Sequence, residues 1–291
     1  MISLILARIF ALCYWVSKRV CRKNLPGLGR ALDLIKSEHI FRVKGRRFYF
    51  NPYVGRAYGL MIIGQWNEPE THTFLKRVVE EIGGKVNFVN VGASIGEFVV
   101  DMAAYDKVAV VIAFEPQPAS AEAIEKSCSV NGFQNVRIIQ KIVADSNTDL
   151  YFMHDKKSPT SSHVVRSIGH DLRRGQHVAK IAGTTLDDEL REVEGKTIIL
   201  IDIEGGEYLA MRGAINFIRK WKPLLIFEYN STSRASFDLN MVRDLLGSDY
   251  EIYRIRPDGR LDVDETNTWN MVAIARSSDC FNTVCSLQCE G

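Results

Sequence analysis

Two neighbouring segments combine glycines and an acid at a spacing that suits a nucleoside ligand. An apolar run ends in Gly92-Ala93-Ser94-Ile95-Gly96, and glycines there let the backbone turn tightly and approach a ligand closely. Glu115 lies 23 residues after Gly92, directly behind a second apolar run. An acid in this place accepts hydrogen bonds from both ribose hydroxyls. The G-x-x-x-G spacing alone fits a structural turn equally well, so the loop and the acid together carry the prediction.

Acids also follow two later apolar runs. Asp202 and Glu204 come after TIILI, and Glu228 and Asn230 come at the end of LLIFEYN. Residues two apart on an extended strand share a face, so Asp202 and Glu204 are predicted to point to the same side. Carboxylates at the end of an apolar run are costly to bury alone. We therefore expect a partner group, a metal or a cationic ligand beside them.

A divalent metal is one alternative, because Asp202, Glu228 and Asn230 offer the hard oxygen ligands that such ions prefer. We assign no metal ligand, since this pattern is only suggestive. His163 and His170 lie in a polar stretch and are candidate bases that a lid would bring in, or else surface histidines.

Alternating strands and helices must position these residues. Apolar runs predict strands over 86–91, 108–114, 136–144, 150–154, 197–203, 224–229, 250–255 and 270–275. Helical spacing predicts helices over 68–82, 95–105, 119–131, 208–220 and 237–246. The polar stretch 155–180 is predicted to be a long loop or lid. The pattern favours an α/β fold with a mainly parallel seven-stranded sheet, an antiparallel edge strand and helices on both faces. Ligands of such sheets bind at the carboxyl ends of the strands.

With these residues in order, the sequence resembles the FkbM-type methyltransferases. The resemblance covers about residues 66–230 and rests on a lead-in from Trp66 to Glu70 and on NVGASIG, FEP, IVAD, TTLDDEL, IDIEGGE and KPLLIFE. It implies a Rossmann-like class I methyltransferase fold, S-adenosylmethionine as the cofactor and methyl transfer as the reaction.

The resemblance also implies roles for single residues. Glu115 would hold the ribose, and Asp202 would lie beside the sulfonium and the acceptor. The implied cofactor-binding residues are Asn90, Gly92, Ala93, Ser94, Gly96, Glu115, Pro116, Gln117, Ala144, Asp145 and Asp202. An alcohol acceptor must lose a proton, and the candidate catalytic residues for this step are Asp202, Glu204 and Glu228.

Asn90 departs from the family pattern, which has an acid at the end of the first strand. An asparagine still forms hydrogen bonds, but it gives no charge to a cationic cofactor. Weaker cofactor binding or a repurposed site is the expectation that follows.

The N-terminal part of the chain differs in charge from the rest. The first 60 residues hold twelve Lys and Arg against Asp33 and Glu38, although the net charge of the whole chain is only +2. Residues 2–16 are apolar apart from Ser3 and Arg8. As a helix they span roughly 22 Å, less than a bilayer core of about 30 Å. Three interpretations stay open: an interfacial anchor with a basic flank, a helix packed on the domain, or a weak signal-anchor.

We divide the chain into three parts: a basic extension with an amphipathic helix and a hairpin (1–65), a methyltransferase domain (66–278) and a cysteine-containing tail (279–291). The tail holds Cys280, Cys285 and Cys289 at a spacing that is not typical of zinc, and no histidine lies nearby. We expect no metal or redox role for it.

The composition is that of an average globular protein, with 46% hydrophobic and 25% charged residues, and excludes a disordered or fibrous chain. We expect a cytoplasmic O-methyltransferase for a sugar, glycolipid or natural-product hydroxyl. Its partners would be a small-molecule or glycan acceptor and a membrane surface contacted through residues 2–23, but not nucleic acid. The alternatives are a non-catalytic scaffold with a degenerate pocket, which Asn90 favours, and a nucleotide-dependent oxidoreductase of similar fold.

Overall fold

The computed structural model describes residues 2–17, 32, 35–155, 163–165, 176–264 and 270–288. The basic flank of the first helix, His170 and Cys289 lie outside the described residues. The side chain of His163 is likewise not described, so the lid histidines stay a prediction.

The N-terminal part contains an α-helix, a hairpin, two 3-10 helices (Pro52–Tyr58 and Met61–Ile63) and a second α-helix. The α-helices and strands are α1 (Ile2–Val16), β1 (His39–Val43), β2 (Arg46–Phe50) and α2 (Pro69–Glu81). The predicted hairpin is confirmed: β1 and β2 pair antiparallel around Lys44-Gly45, both of which have a positive φ. The remaining elements are β3 (Val86–Val91), α3 (Glu97–Met102), β4 (Val108–Phe114), α4 (Pro118–Asn131), β5 (Val136–Ile139), β6 (Ile142–Val143), β7 (Leu150–Asp155), β8 (His163–Val165), β9 (Gln176–Ile181), β10 (Gly183–Thr184), α5 (Leu186–Glu189), β11 (Thr197–Ile201), α6 (Glu207–Arg212), α7 (Ile215–Trp221), β12 (Leu224–Glu228), α8 (Ser231–Ser236), α9 (Leu239–Leu246), β13 (Tyr250–Ile255), β14 (Leu261–Asp262), β15 (Asn270–Ala275) and α10 (Phe281–Cys285).

The main sheet has eight strands in the order β14-β13-β15-β12-β11-β3-β4-β5. The five strands from β5 to β12 are parallel, as predicted. The sheet has one strand more than predicted, because the two-residue strand β14 pairs with β13. The antiparallel strand β15 does not lie at the edge, since it fills the place between β12 and β13.

Helices cover both faces of this sheet, as predicted. On one face, the hairpin, α2 and α3 form a core layer with Phe48, Phe74 and Val99. The tail helix α10 joins the same layer through Val284. On the other face, α6, α7 and α9 form a second layer. Alternate strand residues enter the two layers, because successive side chains of a strand point to opposite faces.

The prediction of a loop over 155–180 is wrong for the part that the structure describes. β8 and β9 both pair antiparallel with β7 and form a separate three-stranded sheet. Backbone hydrogen bonds to the two edges of β7 support these strands, although their polar sequences gave no periodicity.

Two predicted elements are interrupted by close backbone contacts. The predicted strand 136–144 is divided, and its second part, β6, pairs with β10 outside the main sheet. The predicted helix 208–220 is broken between α6 and α7. A Cβ on Gly213 would lie 2.0 Å from the carbonyl oxygen of Ala144, so the chain turns where these backbones touch. The prediction also missed α8, which precedes α9.

Candidate active site

The glycine loop after β3 brings two strand ends into backbone contact. Gly92, Ser94 and Gly96 all have a positive φ. A Cβ on Gly92 would lie 1.9 Å from the carbonyl oxygen of Asp202, so only glycine fits there. The amide of Asp202 donates to the carbonyl oxygen of Val91 at 3.0 Å. The loop and Asp202 are therefore held side by side, at the carboxyl ends of β3 and β11.

Glu115 closes the same loop from the end of β4. Its Oε2 accepts from the amide of Ser94 at 2.7 Å, and its Oε1 accepts from the amide of Gln117 at 2.8 Å. Burial raises the pKa of Glu115 to about 7, although the two backbone N–H groups favour the ionised form. Each oxygen keeps a further lone pair, which suits two ligand hydroxyls.

The residues predicted on the adenine side lie at the same edge of the fold. Pro116 and Gln117 lead into α4, with Gln117 as its N-cap residue. Ala144 follows β6 and donates its amide to the carbonyl oxygen of Thr184. Asp145 is exposed and lies 3.3 Å from Nη1 of Arg212.

The prediction that Asp202 and Glu204 share a strand face is wrong. β11 ends at Ile201, and the positive φ values of Glu204 and Gly205 show a turn. The carboxylate of Glu207 accepts from the amides of Ile203 and Gly205, at 3.1 and 3.0 Å, and so holds this turn. The glycines of IDIEGGE allow a turn that the apolar run did not indicate.

Asp202 instead lies beside Glu228 at the end of β12. The interaction of the two carboxyl groups favours the neutral form of Glu228 and the ionised form of Asp202. Burial and the charge of Asp202 raise the pKa of Glu228 well above its usual range. Burial and the charge of Glu68 raise the pKa of Asp202 in the same way. These shifts favour the retention of a proton by the pair at neutral pH.

Two buried polar atoms at this edge have no hydrogen-bond partner among the described residues. They are Oδ1 of Asn90 and Oε2 of Glu228. Asn90 is only 1% exposed and Glu228 only 4% exposed. Unsatisfied buried acceptors are rare in native proteins, so a ligand that donates hydrogen bonds or carries positive charge is expected here.

The lead-in before α2 contributes a carboxylate that the sequence analysis did not place in the site. Glu68 Oε2 accepts from Nδ2 of Asn270 at 2.5 Å and from Oγ1 of Thr71 at 3.3 Å. Burial and the charge of Glu97 raise the pKa of Glu68 to about 7. The motif from Trp66 to Glu70 was the available signal, but no spacing connects it to Asn270, which lies 202 residues further on.

A second missed group surrounds His72 on α2. Its Nδ1 lies 2.7 Å from Oδ2 of Asp101, and its Nε2 lies 3.2 Å from Oε1 of Glu97. The ring stacks between Trp66 and Phe98, with centroid distances of 4.2 and 4.4 Å. Burial lowers the pKa of His72, but the two carboxylates outweigh it and raise the pKa to about 9. His72 is therefore a buried imidazolium at neutral pH.

The metal alternative gains no support from the described part of the chain. No group of three or more His, Cys, Asp or Glu side chains is placed there to hold a metal ion. Asn230 uses its Oδ1 to accept from the amides of Thr232 and Ser233, at 2.7 and 3.0 Å, and so caps α8. Cys280 and Cys285 are free thiols, and Cys280 is buried against the core.

The edge of the sheet fits the nucleoside and the charge of S-adenosylmethionine. Glu115 offers lone pairs for two ribose hydroxyls beside the glycine loop, where Gly92, Ser94 and Gly96 have a positive φ. Beyond it, the unpartnered oxygens of Asn90 and Glu228 and the carboxylate of Asp202 suit a cation.

Comparison with known proteins agrees with this geometry. Residues 90–254 match the sequence profile of the methyltransferase FkbM domain. No curated protein sequence matches the chain. Among solved structures, methyltransferase FkbM from Methylobacillus flagellatus is 17% identical over 77% of this chain, with a TM-score of 0.47. The chain covers 55% of the length of that protein.

Two further structures contain the cofactor or its product. TYW2 from M. jannaschii, in complex with AdoMet, is 15% identical over 87% of this chain and 88% of its own, with a TM-score of 0.44. A putative methyltransferase from Streptococcus mutans, in complex with SAH, is 10% identical over 72% of this chain and 98% of its own, with a TM-score of 0.41.

The profile match covers more than half of the chain and includes the glycine loop, Glu115, Asp202 and Glu228. The main sheet is mostly parallel and has helices on both faces, as the family resemblance implies. The chain therefore belongs to the FkbM methyltransferase family, with a Rossmann-like class I fold and S-adenosylmethionine as its cofactor.

Proposed function

We propose that the protein transfers a methyl group from S-adenosylmethionine to a hydroxyl oxygen of a small-molecule or glycan acceptor. The observation that carries this proposal is the carboxyl pair of Asp202 and Glu228 beside the glycine loop. A hydroxyl needs a base when its oxygen forms the new bond, whereas an amine does not need one to the same degree. A carboxyl pair with one ionised and one neutral member meets this need, because the ionised member can take up the proton.

The cofactor supplies an electrophilic methyl group, and the chain supplies the binding groups. Glu115 accepts from the ribose hydroxyls, with Pro116, Gln117, Ala144 and Asp145 on the adenine side. The loop residues Gly92, Ala93, Ser94 and Gly96 lie along the cofactor, and Asn90 offers its unpartnered Oδ1. Much of the rate enhancement comes from this positioning.

The acceptor proton goes to the ionised member of the Asp202–Glu228 pair. Before the transfer, the neutral member stabilises the ionised member beside it. After the transfer both members are neutral, and the pair returns one proton to the solvent before the next cycle. Glu204 lies on the turn beyond Asp202, and its proposed role is contact with the acceptor. Glu207 shapes that turn through its two backbone contacts and has no free role in proton transfer.

The outward face of α1 favours an acceptor at a membrane. The helix packs on the domain through its small residues, since Ala7 and Ala11 are buried. Its large apolar side chains point outward, and Ile5 and Ile9 are each 52% exposed. A helix that only stabilised the domain would bury its large side chains instead.

No helix in the described ranges is both long and apolar enough to cross a membrane. We propose that α1 lies in the surface of an anionic membrane from the cytoplasmic side, with the basic flank beside it.

The first test is calorimetric titration with S-adenosylhomocysteine, on the wild type and on Glu115→Ala. We expect micromolar binding by the wild type and loss of binding in the variant. Radiolabelled methyl transfer to a panel of sugars, glycolipids and amines follows. Transfer to amines but not to hydroxyls would contradict the proposal. Binding without any turnover would favour the scaffold, and binding of NAD instead would favour the oxidoreductase.

The second test is co-sedimentation with vesicles that contain about a third anionic lipid. The test variant is Ile5→Asp/Ile9→Asp, and the control is Val263→Asp, at an apolar residue that is 74% exposed elsewhere. We expect the double variant to lose vesicle binding and the control to keep it. Equal binding by all three proteins would reject the membrane contact and leave the methyl-transfer proposal intact.

A further inference from the structure

The polar residues at the edge of the sheet face the beginning of α2. Asn90, Glu228 and Asn270 are each two residues from a strand residue in the core layer that α2 joins. Alternate residues of a strand share a face, so these three side chains lie on the side of α2. Glu228 and Asn270 are also direct neighbours across β12 and β15. The N-terminus of α2 thus lies over the ends of β3, β12 and β15.

Glu68 is the N-cap residue of α2 and is fixed at this edge by hydrogen bonds from Asn270 and Thr71. The charge of Glu68 raises the pKa of Asp202, and the charge of Glu228 raises the pKa of Glu68. Three carboxyl groups therefore share one small region. Like charges in such a region are stable only when they are protonated or when a cation joins them.

No basic side chain of the described residues forms an ion pair with Glu68, Asp202 or Glu228. Besides burial, the groups that shift the pKa values of these three carboxyl groups are other acids and Asn270. An independent observation points to a ligand, because Oδ1 of Asn90 and Oε2 of Glu228 are buried here and have no partner within the described chain. The cation that this region lacks is therefore expected from a bound molecule.

The order of the strands indicates which part of the cofactor reaches this region. β4, which carries Glu115, lies on one side of β3, and β11 and β12 lie on the other. A nucleoside held by Glu115 thus leaves its other end toward β11 and β12. In S-adenosylmethionine that end is the amino-acid part, with a charged α-ammonium group.

We infer that Glu68 binds the α-ammonium group of the cofactor and supplies the negative charge that Asn90, at the usual position, lacks. This inference rests on the proposed use of S-adenosylmethionine. It assigns a cofactor contact to a residue outside the matched family domain, which begins at residue 90. It also explains how the chain keeps affinity for a cation without an acid at the end of β3.

The test compares two ligands that differ only in the amino-acid part. S-adenosylhomocysteine carries the ammonium group, and 5′-methylthioadenosine has the same nucleoside and thioether without it. Affinities are measured by calorimetry at about pH 8, where Glu68 is ionised, for the wild type, Glu68→Gln, Glu115→Gln and Glu70→Gln. Glu70 is a matched control, because it is an acid in the first turn of the same helix.

For Glu68→Gln, we expect about ten- to hundredfold weaker binding of S-adenosylhomocysteine and unchanged binding of 5′-methylthioadenosine. Glu115→Gln should weaken both ligands, and Glu70→Gln neither. A merely structural role of Glu68 would weaken both ligands equally and would overturn the inference, as would unchanged binding of both. If the wild type bound neither ligand, the proposed function would fail together with the inference.

Discussion

Two neighbouring groups of buried and half-buried carboxylates differ in how their charge is balanced. Glu97 and Asp101 have the imidazolium of His72 between them, within 3.2 Å of each carboxylate. Glu68, Asp202 and Glu228 have no such cation among the described residues, and their pKa values are raised instead. The first group holds its own counter-ion and is structural. The second group is left incomplete by the fold, which is the expected state of a site for a cationic ligand.

The largest effect should come from removing the resident cation. In His72→Phe, the stacked ring position is kept, but two buried carboxylates lose their partner. We expect the free energy of unfolding to fall by about 3–5 kcal/mol at pH 6, as measured by urea denaturation. A fall of less than about 1 kcal/mol would contradict the statement that the His72 cation balances the charges of Glu97 and Asp101.

The pH dependence of stability should show the same cation in the wild type. The pKa of His72 rises from 6.5 to about 9 on folding. The stabilisation is therefore complete below pH 6.5 and is lost as the pH rises through about 9, in total about 3 kcal/mol. Urea denaturation across this range tests the loss, and NMR titration of the imidazole assigns it. An imidazole that titrates below pH 6.5 would contradict the expectation.

Removing an acid from the group of Glu68, Asp202 and Glu228 should raise the free energy of unfolding rather than lower it. We expect Glu228→Gln to raise the free energy of unfolding by about 1–2 kcal/mol at about pH 8, because the Glu228 carboxyl group must take up a proton on folding at this pH, whereas a glutamine need not. Methyl transfer should fall by about 100-fold or more, because the pair loses its exchangeable proton. Glu207→Gln is the control, since Glu207 accepts from backbone N–H groups and its substitution should destabilise the fold.

The smallest effect should come from Arg46, a second cation beside the group of Glu97, Asp101 and His72. Arg46 Nε lies 3.6 Å from Oδ1 of Asp101, and the Arg46 side chain is partly exposed. We expect Arg46→Met to lower the free energy of unfolding by less than about 1 kcal/mol, again by urea denaturation. An effect as large as that of His72→Phe would place the balancing charge on Arg46 instead.

The sequence predicted the parts of the site that lie within single motifs. The glycine loop, Glu115 and the acids after β11 and β12 follow apolar runs, and such runs mark strand ends reliably. The turn at Glu204 was missed because the apolar run of β11 looks continuous with the acids behind it. The strands β8 and β9 were missed because pairing with β7, rather than their own side-chain pattern, supports them.

The contacts that complete the site could not be predicted, because they join distant parts of the chain. Glu68 meets Asn270 across 202 residues, and neither residue belongs to a recurring spacing. His72 has the helical position of an ordinary core residue, and only the tertiary structure brings Glu97 and Asp101 to it. Sequence periodicity indicates which face of an element is buried, but not which polar groups meet there.

The position of β15 has a consequence for the order in which the protein is assembled. β15 is the last strand of the sheet in chain order, yet it lies between β12 and β13 and carries Asn270. During synthesis, β3, β4 and the Glu115 pocket can form while residues 270–275 are still inside the ribosome. The native partner of β12 on this side is β15, and β13 joins the sheet through β15, so both native pairings wait for residues 270–275. We expect a nascent chain to bind the nucleoside part of its cofactor before it can recognise the amino-acid part.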